Sequence, residues 1–233
     1  MHAREALPIF FDLDDTLLDD RGAQIAYLPR VYAAWRDRLP HSEQAFPGVW
    51  RTALQHHFDR HIRGELTHDE QRRARIRDVF QAPSLTDTEA DRLMGEFLDI
   101  YESSWRLFDD VLPVLDALGD RPLGVITNGT DRQQRGKLER MGIADRFEVI
   151  LTSETAGLGK PDPRIFVQAA ARLNTPPDGC VHVGDDWVRD VEGARGAGFR
   201  AVWLDRRNSG ETSFADRSVM RISTLTQLLH IVG

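Results

Sequence analysis

Two aspartates, Asp12 and Asp14, stand at the end of the short apolar run of residues 8–11. An apolar run that stops at a charged residue is typical of a buried parallel strand, which places Asp12 at an edge of the sheet. Asp14 can face the same cleft if the chain stays extended. One ionised carboxylate can then attack phosphorus, while a neighbouring carboxyl group protonates the leaving oxygen and later activates water. This pair of carboxylates is suited to phosphoryl transfer through an aspartyl phosphate, and the alternative is a solvated acidic loop.

Four later apolar runs also end at polar residues. They cover residues 123–126, 149–151, 180–183 and 201–204, and they stop at Thr127, Thr152, Gly184-Asp185 and Asp205. Each has the length and composition of a strand that is buried on both faces. In open parallel sheets, ligands bind outside the carboxyl ends of the strands. The sequence therefore predicts that groups far apart in the chain, including Thr127 and Asp185, meet near Asp12.

Helical patterns alternate with these runs, at residues 131–141, 163–173, 187–197 and 224–231. Strands that alternate with helices favour parallel pairing through right-handed crossovers, with helices on both faces of the sheet. We therefore predict an α/β fold with an open, parallel, Rossmann-like sheet that contains the five runs as strands.

The stretch from residue 18 to residue 108 breaks this alternation, because it contains helical stripes but no convincing strand. The stripes are Leu28, Val31, Tyr32 and Trp35; Trp50, Leu54, Phe58 and Ile62; Ile76, Val79 and Phe80; and Met94, Phe97, Leu98, Tyr101 and Trp105. Thr67 with Glu70, and Thr86 with Glu89, have the spacing of capping boxes that start helices. We predict an all-helical domain at residues 18–108, inserted into a core formed by residues 1–17 and 109–233.

The lysines and histidines are further candidates for functional roles. Lysine occurs only at Lys137 and Lys160, although arginine is abundant. A lysine kept against that bias suggests a need for a compact point charge, which a planar guanidinium does not supply. We expect Lys137, in a helical stretch with charged neighbours, to be solvated. His57 and His61 have a zinc-binding spacing but lack a third ligand, so we expect a solvated helix face, and we expect His182 to be packed inside a strand.

Arginines cluster in the middle of the predicted helical domain. They are Arg51, Arg60, Arg63, Arg72, Arg73, Arg75 and Arg77. Solvated helix faces account for most of them, but any that face a cleft would recognise a second acidic group on a ligand. Trp50, Trp105 and Trp187 are expected to pack in the core rather than to stack on a ligand.

The composition limits the classes of partner. The chain has 37 Asp and Glu against 30 Lys and Arg, and its net charge of -7 offers no general attraction to nucleic acid or to anionic membranes. Cys180 is the single cysteine, which excludes an intrachain disulfide and favours a reducing compartment. No apolar stretch approaches the roughly 20 residues that span a bilayer. We therefore expect a cytoplasmic protein whose partner is a small phosphorylated metabolite.

Four motifs, in order along the chain, resemble those of a known family. They are FFDLDDTL at residues 10–17, Thr127-Asn128-Gly129, Lys160 within GLGKPDPRIF, and VGDDWVRDVEGARGAG at residues 183–198. Over its whole length the chain resembles the haloacid dehalogenase-like (HAD) superfamily, and in particular its phosphatases. A helical insertion directly after the first motif is similar to the type-one cap of that family. The nearest branch resembles nucleotidases and sugar-phosphate phosphatases.

The resemblance implies a role for each motif residue. Asp12 would be the nucleophile and Asp14 the general acid/base. Lys160 would neutralise both the nucleophile and the transferring phosphoryl group, which stabilises charge in the transition state. The substrate-binding residues would be Lys160, Thr127, Asn128 and Gly129.

The resemblance also implies Mg²⁺ as the cofactor. Its protein ligands would be the carboxylates of Asp12 and Asp185 and the backbone carbonyl of Asp14. Mg²⁺ favours a few hard oxygen ligands from the protein, with water and substrate phosphate completing the shell.

Three further residues would support these groups. Either Asp186 or Asp190 would orient a water on the metal or hold Lys160, and the position of Asp190 matches the family spacing better. Each of these two aspartates is also explained as an acid that complements the positive end of a helix dipole. Thr16 would hydrogen-bond Asp12.

Other functions stay open on the same scaffold. A haloacid dehalogenase needs no proton donor for the leaving halide, so Asp14 favours a phosphatase. A phosphomutase would use the same residues and is not excluded. The alternative that is not an enzyme is a catalytically silent binding or regulatory module, since a fold does not fix a function. The filled motif positions favour the enzyme.

Overall fold

The computed structural model of the chain describes residues 7–207 and 218–232. Within these residues, six parallel strands form one sheet: β1 (Ile9–Phe11), β2 (Leu123–Thr127), β3 (Val149–Thr152), β4 (Val181–Gly184), β5 (Arg200–Leu204) and β6 (Met220–Ile222). The spatial order is β3-β2-β1-β4-β5-β6. The order reverses beside β1, which pairs with β2 on one side and with β4 on the other. Such switch points are where open α/β sheets bind ligands.

Ten α-helices lie in the described part of the chain. They are α1 (Asp20–Trp35), α2 (Phe46–Ile62), α3 (His68–Phe80), α4 (Asp87–Glu102), α5 (Val111–Leu118), α6 (Asp131–Arg140), α7 (Ser153–Ala156), α8 (Pro163–Arg172), α9 (Gly193–Gly196) and α10 (Leu229–Val232). A π-helical turn at Trp187–Glu192 leads into α9, and a 3₁₀ turn at Leu225–Leu228 leads into α10. No helix among the described residues is both long enough and apolar enough to cross a membrane.

The predicted α/β fold with a parallel sheet is confirmed, and all five predicted strands are present. The sequence reading missed β6, in which only Ile222 is buried and the two preceding residues are exposed. A short edge strand with one buried side chain carries no apolar run. It also missed α5, although Val111, Val114, Leu115 and Leu118 form a buried helical stripe. Pro113 looks like a helix breaker, but proline is tolerated in the first turn.

The predicted continuous α-helix at 187–197 is only partly correct. The chain forms the π-helical turn first, and regular α-helix is limited to α9. A π-helical turn widens the backbone locally and is often found at functional sites. Here it sits immediately after β4, on the segment that carries Asp186 and Asp190.

The chain divides into two compact units. The first comprises Met1–Asp19 together with Arg106–Gly233, and the second comprises Asp20–Trp105. The first unit contains the sheet, and its core packs side chains of β1, β2 and α8 with those around β5. Phe10 and Phe199 lie with their ring centroids 5.7 Å apart, and Phe166 packs edge-on to Phe199. All three residues of β1 are fully buried, which explains why this strand is a continuous apolar run.

The second unit contains α1 to α4. Both predicted capping boxes are confirmed, because the side chains of Thr67 and Glu70, and those of Thr86 and Glu89, exchange hydrogen bonds with the backbone of their partners. Trp35 and Trp50 form the aromatic core of the unit with their ring centroids 6.0 Å apart. The capping boxes fix the starts of α3 and α4, and the contact between the two tryptophans packs α1 against α2.

Two expectations for α2 were wrong. The predicted stripe included Ile62, which is exposed, whereas the buried face carries Phe46, Trp50, Ala53 and His57. His57 is therefore not on a solvated helix face. It is buried, and its Nε2 atom lies 2.6 Å from an oxygen of Asp78, so its polar group is matched by a carboxylate.

Candidate active site

Asp12 follows β1 at the switch point of the sheet. Its backbone N–H donates to the carbonyl of Val183 at 2.9 Å, so pairing with β4 continues to this residue. The side chain is buried, and its Oδ1 atom lies 2.5 Å from Nζ of Lys160. A buried carboxylate at a strand end beside an ammonium group can act as a nucleophile.

Lys160 is fixed through both its main chain and its side chain. Its N–H donates to Oδ1 of Asn128 at 2.8 Å, and Nδ2 of Asn128 donates to its carbonyl at 2.9 Å. Its Nζ atom contacts Asp12 and also lies 2.6 Å from Oδ1 of Asp190. The ammonium group therefore bridges two buried carboxylates, and the loop that carries it is attached to the residue after β2.

Asp190, rather than Asp186, holds Lys160. Asp190 also accepts from the backbone N–H of Asp186 at 3.1 Å and lies 3.1 Å from Nε2 of His182. A side chain at Gly184 would overlap the Asp190 carboxylate, so only glycine fits there. The Asp186 side chain accepts from the N–H of Arg189 and caps the π-helical turn.

Asp14 is held by two residues of α6. Nζ of Lys137 lies 2.6 and 2.7 Å from the two carboxylate oxygens, and Nε2 of Gln134 donates to one of them at 3.2 Å. The expectation that Lys137 is solvated was wrong, since only 2% of it is exposed. The scarcity of lysine suggested a functional role for any lysine that is present, and this reasoning applied to Lys137 as well as to Lys160. Nothing in the sequence reading singled out Gln134.

Three of the predicted substrate-binding residues lie at the end of β2 or directly after it, but much of their polar surface is already used. The Thr127 hydroxyl is buried and accepts from Gln134 at 2.6 Å. The N–H of Gly129 donates to Oγ of Ser153 at 2.9 Å, and the Asn128 side chain spans the Lys160 backbone. In this arrangement Asn128 and Gly129 organise the loops, whereas the Thr127 hydroxyl keeps its proton available to donate.

Thr16 does not hydrogen-bond Asp12 as predicted. Its hydroxyl is buried and has no partner among the described residues. Its carbonyl instead accepts from Arg206 at 2.8 Å, and the same guanidinium pairs with Asp110. Thr16 is thus attached to the core through its backbone, which leaves the side chain without a role in orienting Asp12.

Burial and the cluster of charges set the protonation of the site. Burial, the largest cause, raises the pKa of Asp12 to about 7, against the opposing charge of Lys160. Burial alone would lower the pKa of Lys160, but Asp12 and Asp190 raise it above its ordinary value. Burial would raise the pKa of Asp190, but Lys160 and His182 hold it below its usual range. Burial lowers the pKa of His182, which favours the neutral imidazole.

The same residues can accept a divalent cation. One oxygen from each of Asp12, Asp185 and Asp190 lies within 4.8 Å of the others. Asp190 is committed to Lys160 and His182, so Asp12 and the half-buried Asp185 are the better carboxylate ligands. Three carboxylates beside a single ammonium group leave an excess of negative charge, which a hard cation with oxygen ligands would offset.

The comparison with protein families agrees with this geometry. The model of the haloacid dehalogenase-like hydrolases matches residues 9–198, a range that includes Asp12, Asp14, Lys160 and Asp185. The chain belongs to the haloacid dehalogenase-like hydrolase family. The matched range contains the strand ends that carry Asp12, Thr127 and Asp185, and the loop that carries Lys160.

The proteins to which this chain is similar include phosphatases and a dehalogenase. A phosphoserine phosphatase of Thermus thermophilus is 46% identical over 84 residues, which are 36% of this chain and 34% of the relative. A HAD phosphatase structure from Thermococcus onnurineus is 27% identical with a TM-score of 0.70, covering 97% of this chain and 98% of its own. A 2-haloacid dehalogenase structure from Pseudomonas syringae pv. Tomato is 30% identical with a TM-score of 0.71, covering 97% of both chains. The chain spans between about a third and three fifths of the length of the first curated relatives it matches.

Proposed function

We propose that the protein is a magnesium-dependent phosphohydrolase that cleaves small phosphomonoesters through an aspartyl phosphate on Asp12. The observation that carries the proposal is the buried contact of Asp12 with Lys160, beside a second carboxylate at Asp14. Relatives that are phosphatases support the same reaction class. The chemistry divides into two half-reactions that use the same two aspartates.

In the first half-reaction, the Asp12 carboxylate attacks phosphorus and a new P–O bond forms. The bond from phosphorus to the leaving oxygen breaks, and protonated Asp14 gives its proton to that oxygen. Lys160 stabilises the charge on the transferring group, and the Thr127 hydroxyl donates to a phosphoryl oxygen. The products are the alcohol and the aspartyl phosphate.

In the second half-reaction, water attacks phosphorus and the bond to Asp12 breaks. Asp14, ionised after the first step, takes the proton of the attacking water. Both oxygens of Asp14 contact Lys137, which holds the carboxyl group in place for this proton transfer. The products are inorganic phosphate and free Asp12, so the aspartates return to their starting state.

Mg²⁺ bound by Asp12, Asp185 and the Asp14 carbonyl would neutralise the repulsion between the anionic substrate and the carboxylates. The residues of the chain supply the remaining functions. Asp190 holds Lys160 in place, and His182 in turn holds Asp190. We also propose that residues 18–108 serve as the cap that sets the choice of substrate.

A 2-haloacid dehalogenase is the second candidate, because one solved relative of 30% identity has that name. In that reaction the Asp12 carboxylate would displace a halide from carbon, and the halide would leave without a proton. Asp14 with its two supporting residues, Lys137 and Gln134, would then have no task. Their hydrogen bonds to Asp14 therefore favour the phosphatase.

A panel of phosphomonoesters and 2-haloacids, assayed with Mg²⁺ and with a chelator, tests the proposal. We expect phosphate release that requires Mg²⁺ and is lost in Asp12→Asn. Halide release without phosphate release would establish the second candidate. Stoichiometric retention and return of the phosphoryl group to a second hydroxyl would identify a phosphomutase. Tight binding of one panel member without turnover would favour a binding module.

A further inference from the structure

Arg75, on α3, is a buried cation inside the helical unit. Only 6% of the residue is exposed, and no carboxylate among the described residues forms an ion pair with it. Its guanidinium carbon instead lies 5.0 Å from the ring centroid of Trp50 and 5.8 Å from that of Phe97. Its hydrogen-bond contact is with the sulfur of Met94 at 3.7 Å, a weak acceptor.

Two neighbouring arginines of α3 have the carboxylate partners that Arg75 lacks. Arg73 pairs with Asp87 and Asp91, and Arg77 pairs with Asp87. Those two side chains are partly exposed to water, where an ion pair contributes little to stability. Arg75 has the greater need of an anion, because burial of a charge is costly unless it is paired. Burial lowers the pKa of Arg75 to about 10.

Gln71 adds a second unmet polar group beside Arg75. It lies one helical turn earlier on α3, so the two side chains share a face of the helix. Gln71 is 3% exposed, and its Oε1 atom has no hydrogen-bond partner among the described residues. The Nε atom of Arg75 is also without a hydrogen-bond partner. A donor and an acceptor are therefore unmet on one buried face.

We infer that Arg75 and Gln71 form a binding site in the helical unit for a small anion that also carries a hydrogen-bond donor. The ligand class is a carboxylate or phosphate with an adjacent hydroxyl or ammonium group. Arg75 pairs with the acidic group, and Gln71 accepts from the donor. Trp50 and Phe97 form apolar walls that keep the guanidinium dry, which strengthens its attraction for an anion.

Thermal unfolding of the full chain tests binding. The probes are glycerate, which has a carboxylate beside a hydroxyl, and propionate, which lacks the hydroxyl. We expect glycerate to raise the Tm of the wild type more than propionate does, and Arg75→Met to abolish both increases. Arg73→Met, which removes an ion-paired arginine of the same helix, is the matched control and should keep them.

The variants also separate a binding site from a structural role. Arg75→Met should be at least as stable as the wild type in buffer without these anions, because it removes an unpaired buried charge. Gln71→Leu keeps the arginine and should lose only the preference for glycerate. Equal Tm increases in wild type and Arg75→Met, or no increase in the wild type, would overturn the inference. If Arg75→Met does not fold, Gln71→Leu tests the inference by itself. The inference then requires that glycerate no longer raises the Tm of Gln71→Leu more than propionate does.

A kinetic arm identifies the source of the anion, and this arm rests on the proposed function. Phosphoserine and phosphoethanolamine differ only in a carboxylate. If the anion belongs to the substrate, Arg75→Met should lower kcat/KM for phosphoserine by roughly 10- to 100-fold and leave phosphoethanolamine unchanged. Unchanged rates together with lost glycerate binding would assign the site to a free anion. Failure of the wild type to hydrolyse any ester would overturn the proposed function, while the binding result would stand by itself.

Discussion

The sheet edge and the helical unit both bury positive charge, but they compensate it in different ways. At the sheet edge, Lys160 contacts Asp12 and Asp190, and Lys137 contacts Asp14. In the helical unit, the buried Arg75 contacts aromatic rings and a sulfur atom. A paired buried charge is held ready for one chemical task, whereas an unpaired one retains the capacity to pair with a ligand.

The carboxylates at the sheet edge are also held in place by partners from separate parts of the chain. Asp14 is held by Lys137 of α6, whereas Asp12 and Asp190 are held by Lys160 on the loop before α8. Preorganised charges of this kind stabilise a transition state without rearranging during the reaction.

Removing the nucleophile should have the largest effect. Asp12→Asn keeps the size of the side chain but cannot form the aspartyl phosphate, so kcat should fall by roughly 10⁴-fold or more. Substrate binding should persist and can be measured by equilibrium titration. Asp145→Asn, at an exposed position away from the site, is the control. Turnover in Asp12→Asn within tenfold of the wild type would remove Asp12 from the mechanism.

Loss of the metal ligand should be the next largest effect. Asp185→Asn removes one carboxylate from the cation site, and the Mg²⁺ concentration for half-maximal activity should rise by at least roughly 100-fold. Steady-state rates across a Mg²⁺ titration measure this shift. An unchanged Mg²⁺ dependence would place the cation elsewhere.

Lys137 should affect the proton-transfer steps rather than binding. Lys137→Met removes the charged partner of Asp14 and leaves only the hydrogen bond from Gln134, so kcat for alkyl phosphates should fall by about 100-fold. The fall should be smaller for p-nitrophenyl phosphate, whose leaving group needs no proton. Lys137→Arg should restore part of the activity, and Asp14→Asn with Lys137→Met should be no slower than Asp14→Asn alone. An equal loss for both substrates would indicate a merely structural lysine.

The raised pKa of Asp12 predicts a pH-dependent stability in metal-free protein. Between its ordinary value of 3.8 and about 7, the folded state binds more protons than the unfolded state, so this residue's contribution to stability decreases as the pH rises. Asp12→Asn removes the ionisable group and therefore the decrease in stability that it causes as the pH rises. It should stabilise the protein by on the order of 2–4 kcal/mol above pH 7 and much less near pH 4. Denaturant unfolding at both pH values, with a chelator present, is the measurement, and a pH-independent difference would contradict it.

The smallest effect should come from a substitution at the start of α3 in the helical unit, away from the buried Arg75. Thr67→Ala removes one capping box and should lower the free energy of unfolding by ~1 kcal/mol. The activity should not change, because the cap fixes only the start of α3. Chemical denaturation together with an activity assay checks both parts. A large loss of activity would mean that the start of α3 contributes to the reaction.

The sequence predicted the sheet well because apolar runs that end at polar residues depend only on local composition. It placed Asp12, Thr127 and Asp185 at strand ends, and those positions agree with the structure. It did not predict β6 or α5, since an edge strand has little buried surface and a proline hid the short helix.

Pairing between distant residues was much harder to predict. Lys137 was expected in water because its helix is highly charged, yet it lies against Asp14 across more than a hundred residues of sequence. The burial of His57 and Arg75 depends on how α2, α3 and α4 pack, which periodicity alone does not determine. The choice between Asp186 and Asp190 was resolved by the π-helical turn, a conformation that the sequence did not predict.

The central claim is that the phosphoryl group passes through the carboxylate of Asp12. Rapid acid quenching during turnover, followed by borohydride reduction and mass spectrometry of the peptides, measures this directly. We expect the modification at Asp12, with formation and decay that match the rate of phosphate release. Phosphate release without a modified Asp12, or with the modification at another residue, would contradict the account.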